Sequence, residues 1–353
     1  MIEVKNLVKK YGNHTAVKNL SFTVEKGQVY GFLGPNGAGK STTMNIIIGY
    51  LSATSGEVLI NGHSIFDEPE EAKRYIGYLP EIPPLYLDMT VKEYLVFAAE
   101  LKKIPKKDRA KNVKEAMEMT MITQMENRLI KHLSKGYKQR VGLAQAILGY
   151  PEIIILDEPT VGLDPKQIIE IRDLIKKLSE KHTIILSSHI MQEISAVCDH
   201  ILIINKGELV AEGTPEQLTE LAQPTQEVKM RVKGNKSVIE TVLKGMKNVH
   251  KQKFSISEEE GTVDVLVYAV KEADIREELF HAFSNEELPI LFMSAQVKSL
   301  EDIFLEVTDD SKKYVPSKKY LKKEVTKQAM DETKEIKENI ETTESEDGNE
   351  SDL

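Results

Sequence analysis

The stretch VYGFLGPNGAGKSTTMNIIIGY, residues 29–50, decides the reading of this 353-residue chain. Val29 to Leu33 is apolar and strand-like. Gly34-Pro35-Asn36-Gly37-Ala38-Gly39-Lys40-Ser41 follows and fits G-x-x-x-x-G-K-[ST]; Thr42 then opens an apolar run of helix length that reaches Tyr50. Strand, glycine-rich loop and helix in this order build a cradle for phosphate. Glycines let the backbone curl until successive N–H groups converge on anionic oxygens. The N-terminal end of the helix adds a partial positive charge. Lys40 is placed to reach the outer phosphates of a nucleotide, and the Ser41 hydroxyl to bind a magnesium ion.

A second stretch supplies the rest of such a site. EIIILDEPT, residues 152–160, has four apolar residues, Ile153 to Leu156, followed by Asp157 and Glu158. An all-apolar strand is what a central parallel strand covered on both faces requires. Carboxylates at its C-terminal end sit where open α/β sheets bind ligands. Asp157 is the candidate for the magnesium shell, and Glu158 for polarising an attacking water. Thr183 to Leu186 is another apolar strand, and Ser187-Ser188-His189 falls at its C-terminal end. That position separates His189 from the other histidines, which have no such setting.

With these motifs in hand, the first 220 or so residues resemble the ATP-binding subunit of an ABC transporter. Seven features appear in the family's order. Tyr11 precedes the phosphate loop, and the resemblance implies that it stacks on adenine. The loop is Gly34 to Ser41, with Thr42 beside it. The Gln-loop falls at IGYLPE, Ile76 to Glu81. The signature falls at LSKGY, Leu133 to Tyr137. The strand Ile153 to Leu156 with Asp157 and Glu158 is followed by the D-loop VGLD, Val161 to Asp164. His189 is the switch histidine, expected against the γ-phosphate. The resemblance further implies ATP and Mg²⁺ as ligands, with Ser41, Glu81 and Asp157 around the metal. It also implies a second copy of the chain, whose nucleotide would meet Ser134, Gly136 and Asp164, and separate transmembrane permease subunits. Two positions depart from the family's spelling. Glu81 stands where glutamine is usual; a carboxylate can coordinate Mg²⁺ or position water. Lys135 and Tyr137 replace glycine and glutamine in the signature, and Lys135 is expected to add positive charge beside the partner's γ-phosphate. Ser134 remains suited to cap the following helix.

The rest of the chain fits this frame. Hydrophobic residues make up 41% and charged residues 29%, an ordinary soluble composition. The opening MIEVKNLVKKYG has no apolar signal core, and no run of about 18 apolar residues exists. Cys198 is the only cysteine, which excludes an internal disulfide and fits a cytoplasmic setting on the inner face of the membrane. The net charge of −9 is concentrated: residues 331–353 hold ten acidic residues and two lysines, leaving the preceding 330 residues at −1. No basic stripe with interleaved aromatics appears, so no nucleic-acid partner is expected.

From Thr90 to Ile147 the periodicity predicts a helical subdomain, with apolar stripes at Val91, Leu95, Ala98 and Leu101, and at Val113, Met117 and Met121. After residue 226 the order β-α-β-β-α-β predicts a ferredoxin-like α+β domain, 226–308, closed by a helix bearing Ile303 and Val307. The ABC-2 exporter class carries a similar C-terminal domain, and the SKGY signature is similar to that of gliding-motility-associated ATPases. The tail, 309–353, has a composition that predicts disorder, with a thin stripe at Leu321, Val325, Ala329, Ile336 and Ile340. The expected fold is therefore an α/β P-loop NTPase of ABC type in residues 1–222, with mixed-sheet core, antiparallel β subdomain and helical subdomain. The alternative function is a soluble ABC ATPase with a regulatory or ribosome-associated role. A single phosphate loop and the lack of a sustained heptad repeat weigh against the ribosome-acting and chromosome-acting types. A small-molecule kinase would leave the signature and His189 unexplained.

Overall fold

The computed structural model describes residues 1–221, 227–257, 259–270 and 274–296, together with Glu301, Phe304, Leu305 and Thr308. Residues 1–310 form one compact unit. Three sheets organise it.

The first sheet is antiparallel. It joins β1 (Ile2–Tyr11), β2 (His14–Val24), β4 (Ser55–Ile60) and β5 (His63–Ser64) in the order β2-β1-β4-β5. The second is the mixed core. It joins β3 (Val29–Leu33), β6 (Ile76–Leu79), β7 (Ile153–Leu156), β8 (Thr183–Ser188), β9 (His200–Asn205) and β10 (Glu208–Gly213) in the order β10-β9-β3-β8-β7-β6. All its pairings are parallel except that of β9 with β10. The third joins β11 (Glu227–Lys233), β12 (Val249–Ile256), β13 (Thr262–Ala269) and β14 (Ile290–Gln296) in the order β12-β13-β11-β14, antiparallel throughout.

Successive strand residues point to opposite faces, and β7 shows the consequence. Ile153 and Ile155 enter a core shared with the antiparallel sheet and helix α1 (Lys40–Ile47). Ile154 and Leu156 enter the core on the other face, shared with α3 (Val91–Leu101), α4 (Lys106–Met119), α5 (Lys135–Ile147) and α6 (Pro165–Ser179). Each fully buried isoleucine is worth about 1.5–3 kcal/mol. Short helices α2 (Pro69–Arg74), α7 (Met191–Ser195) and α8 (Pro215–Leu221) complete the first 221 residues. In the third sheet, α9 (Lys236–Gly245) and α10 (Arg276–Asn285) cover one face through Ile239, Leu243, Leu279 and Phe283. On the opposite face Arg231 grips both oxygens of Asp264, at 2.7 and 3.0 Å. Strand order and helix placement match the expected ferredoxin-like arrangement.

Two helix starts are fixed by local side-chain caps. Thr90 and Glu93 form a reciprocal capping box at the start of α3. Asp164 accepts from the Gln167 N–H ahead of Pro165 at the start of α6. The stripes were less regular than their spacing. Leu101 is 67% exposed, because α3 ends there and the chain turns through Lys103 at φ 59°. Met121 is 48% exposed: α4 stops at Met119, Met121 adopts φ 55°, and Ile122 takes the core slot. The apolar run after the phosphate loop is also longer than its helix, which ends before Gly49 at φ 67°. Ile303, Val307 and the tail stripe lie outside the described residues.

Gly77 in β6 shows how tightly core sheet and α5 meet. A Cβ there would lie 2.3 Å from the Ala146 carbonyl oxygen and 2.8 Å from Pro151 Cγ. Backbone cannot yield as a side chain can, so Gly77→Ala is expected to cost about 1–3 kcal/mol, read as a lower urea midpoint. Gly245→Ala is the control: its Cβ meets nothing within 4 Å, at the end of α9, and stability should hold or rise slightly.

Candidate functional site

Strand β3 delivers the chain to the phosphate loop, and α1 begins at Lys40 itself. Gly39 has φ 105°, and a Cβ on it would lie 2.6 Å from the Ala16 carbonyl. Only glycine meets both demands, a left-handed backbone and a close neighbour. The same crowding ties hairpin β1–β2 to the loop: Gly207 N–H donates to Ala38 O and Lys18 N–H to Gly207 O. Tyr11 pairs with His14 across the hairpin turn, so both are carried to the loop's edge.

Lys40 is 6% exposed. Its ammonium donates to Gly34 O at 2.8 Å and lies 3.4 Å from Glu158 Oε1. The other Glu158 oxygen lies 2.9 Å from His189 Nδ1. Lysine, glutamate and histidine therefore form one row, drawn from three neighbouring strands whose C-terminal ends sit side by side as β3-β8-β7.

The carboxylates are anchored from below. Ser187 Oγ donates to Asp157 Oδ1 at 2.5 Å and accepts from the Glu158 N–H at 2.9 Å. Ser41 Oγ lies 3.4 Å from the same Asp157 oxygen. Glu158 adopts φ 47°, a costly conformation for a residue other than glycine and one that clusters at functional sites. Burial, with the Asp157 carboxylate adding to it, pushes the Tyr78 phenol well above its ordinary value, so it stays neutral near the carboxylates.

These elements enclose an open cavity of about 440 Å³. Of the residues expected from the sequence, Tyr11, Asn36, Gly37, Gly39, Lys40, Ser41, Thr42, Glu81, Glu158 and His189 line it. Asp157 lies behind Ser41, while Gly34, Pro35 and Ala38 form the rear of the loop. His14, Ala16 and Val161 also line the cavity and were missed. The signal for His14 was available: Gly12-Asn13 is a two-residue hairpin turn that sets His14 opposite Tyr11.

Ser134, Gly136 and Asp164 belong to a second surface. Ser134 caps α5, accepting from the Tyr137 N–H at 3.5 Å. Gly136 is buried against α6: a Cβ there would lie 2.6 Å from Gln167 Oε1, and the Gln167 N–H donates to Asp164 Oδ1. The Lys135 ammonium lies over Gly162 of the same chain, 2.1 Å from where a Cβ would stand. The signature thus packs against Gly162 and Gln167; neither Ser134, Gly136 nor Asp164 lines the cavity, although Val161, the first residue of the D-loop, does.

The chain has clear relatives. Residues 17–161 match the ABC transporter family. The bacitracin transport ATP-binding protein BcrA of Bacillus licheniformis is 34% identical over 87% of this chain and 97% of its own. The linearmycin resistance ATP-binding protein LnrL of Bacillus subtilis (strain 168) is 32% identical over 87% and 98%. Among solved structures, the dimeric post-hydrolysis state of the ATP-binding cassette MJ0796 bound to ADP and Pi superposes with a TM-score of 0.55. It is 30% identical and covers 61% of this chain and 98% of that one. Sequence likeness along nearly the full length of two such relatives, over a site built for a nucleotide's phosphates, places this chain in the ABC transporter family, as an ATP-binding and ATP-hydrolysing subunit.

Proposed function

We propose that two copies of this chain close on two ATP molecules and pass the work of hydrolysis to separate membrane permease subunits, driving export. The observation that carries the proposal is the row Lys40–Glu158–His189 inside one cavity at the ends of three parallel strands. The loop amides and Lys40 hold the phosphates, and Tyr11 stacks on the base. Glu158 accepts the proton of the attacking water, and His189, braced on Glu158, contacts the γ-phosphate. Glu81, at the end of β6, reaches the same space.

The residues present also fit Mg²⁺. Ser41 Oγ and Asp157 Oδ1 are hard oxygen donors 3.4 Å apart, with Asp157 fixed by Ser187. Glu81, which lines the same cavity, is the third oxygen ligand proposed for the ion. When bound, the ion offsets charge on the phosphate oxygens.

The second surface explains the need for a partner copy. Ser134, Gly136 and Asp164 do not line the cavity, so their nucleotide belongs to the other copy. The permease is assigned to the exposed apolar side chains after Glu81, namely Ile82, Tyr86 and Leu87, next to the helical subdomain of about 90–150. Tyr86 packs edge-on against Phe97 of α3. No described helix is long and apolar enough to cross a membrane, and the permease of this reading is a separate polypeptide. The chain then works peripherally, on the cytoplasmic face of the membrane. Residues 1–222 are the nucleotide-binding domain and 226–308 an accessory domain. The transport and resistance roles in the relatives' names support export.

Lys40→Ala is expected to weaken ATP binding by about 100-fold, as loss of a desolvated charge-assisted contact implies; retained affinity in a nucleotide titration would refute the assignment. Glu158→Gln should still bind ATP, lose about 100-fold or more in turnover, and accumulate as a dimer in size-exclusion chromatography with ATP. Normal turnover in Glu158→Gln would show that another group is the base. Tyr11→Ala should raise KM for ATP by about tenfold with kcat little changed, the scale of one lost base-stacking contact.

A further inference from the structure

Strand β8 ends in two consecutive serines whose side chains point to opposite faces of the sheet. Ser187 holds Asp157 and the Glu158 N–H on one face. Ser188, on the other, donates to Glu193 Oε2 at 2.9 Å. The same oxygen accepts from Thr160 Oγ1 at 2.6 Å. Thr160 stands two residues beyond Glu158, and Ser188 immediately before His189. The Ser188 hydroxyl also accepts from the Ile190 N–H at 3.0 Å, so the backbone is pinned on both sides of His189.

Ser188, Thr160 and Glu193 are all buried. Among the described residues Glu193 makes no ion pair; its acceptor contacts come from two hydroxyls. A buried carboxylate without a cation is a poor way to gain stability, since an apolar side chain of similar size would avoid the desolvation cost. What this arrangement supplies is position: one oxygen ties the segment carrying Glu158 to the segment carrying His189.

We propose that Glu193 is a positioning residue for ATP hydrolysis. It clamps the ends of β7 and β8 from the face opposite Ser187, and so holds Glu158 and His189 in register. The proposal rests on the roles given above to Glu158 and His189. Glu193 does not line the cavity; it acts through Thr160 and Ser188.

The test uses the full-length chain with Mg-ATP and compares Glu193→Leu, Glu193→Gln, Thr160→Val and the double variant Glu193→Leu/Thr160→Val. Glu193→Leu keeps bulk and removes the acceptor; kcat is expected to fall about tenfold or more, with KM for ATP within about threefold. Glu193→Gln, whose amide oxygen still accepts, should recover most of the loss. Thr160→Val alone should slow turnover several-fold, yet cost less than about twofold in the Glu193→Leu background, because both remove the same clamp. Turnover of Glu193→Leu within about twofold of the parent would overturn the proposal, as would a KM rising in step with the loss of kcat, or full additivity with Thr160→Val. Should Glu193→Leu not fold, an unchanged kcat in the isosteric Thr160→Val overturns it equally. Glu158→Gln separates the two readings. If that variant is inactive while Glu193→Leu is normal, only the clamp fails; if it turns over normally, the assignment of the base fails.

Discussion

A buried ammonium governs this site. Lys40 Nζ sits between the Gly34 carbonyl and the Glu158 carboxylate with almost no access to solvent. A lysine held so far from water must be partnered or lose its charge. The loop carbonyl and the carboxylate provide the partners, and both lie where anionic phosphate oxygens would compete for the same charge. The cavity is therefore organised around one buried lysine. Everything else positions groups relative to that cation: the loop curls so that Gly34 O reaches it, and β7 ends so that Glu158 does.

Such an arrangement needs rigid supports, and the core sheet provides them. Its central strands are buried on both faces, so their C-terminal ends cannot shift without disturbing two cores at once. Asp157 and Glu158 follow directly from β7, and Ser187 and Ser188 close β8. The left-handed backbone at Glu158 costs free energy, which the Ser187 bridge and the burial around it offset. The clamp through Glu193 extends the same logic to the opposite face. One pair of adjacent strands thus carries Glu158 and His189, with hydrogen bonds on both faces.

The signature keeps its helix cap and its packing under a changed spelling. Ser134 still caps α5, and buried Gly136 still lets the helix start lie against α6. Lys135, expected to point its charge outward at a partner's phosphate, instead lies over Gly162, where the missing Cβ leaves room. The substituted residue links signature to D-loop within one chain, so the two elements a partner would meet are presented together.

Much of this was legible in the sequence, because the information was local. The glycine spacing at 34–41, the all-apolar run at 153–156 and the caps at Thr90, Ser134 and Asp164 specify backbone conformations that depend on neighbours a few residues away. The β-α-β-β-α-β order after residue 226 was readable for the same reason. The sequence misled at two helix ends: Leu101 is the last residue of α3 and Met121 lies two residues beyond α4, and both are exposed. Only tertiary structure decided that His14 lines the cavity, that Lys135 covers Gly162, and that Glu193 joins Thr160 to Ser188. Those contacts depend on elements brought together in space, as β3, β8 and β7 lie side by side although β7 and β8 start 120 and 150 residues after β3 ends. Periodicity along a chain reports which face of an element is buried; it does not report which distant element covers that face.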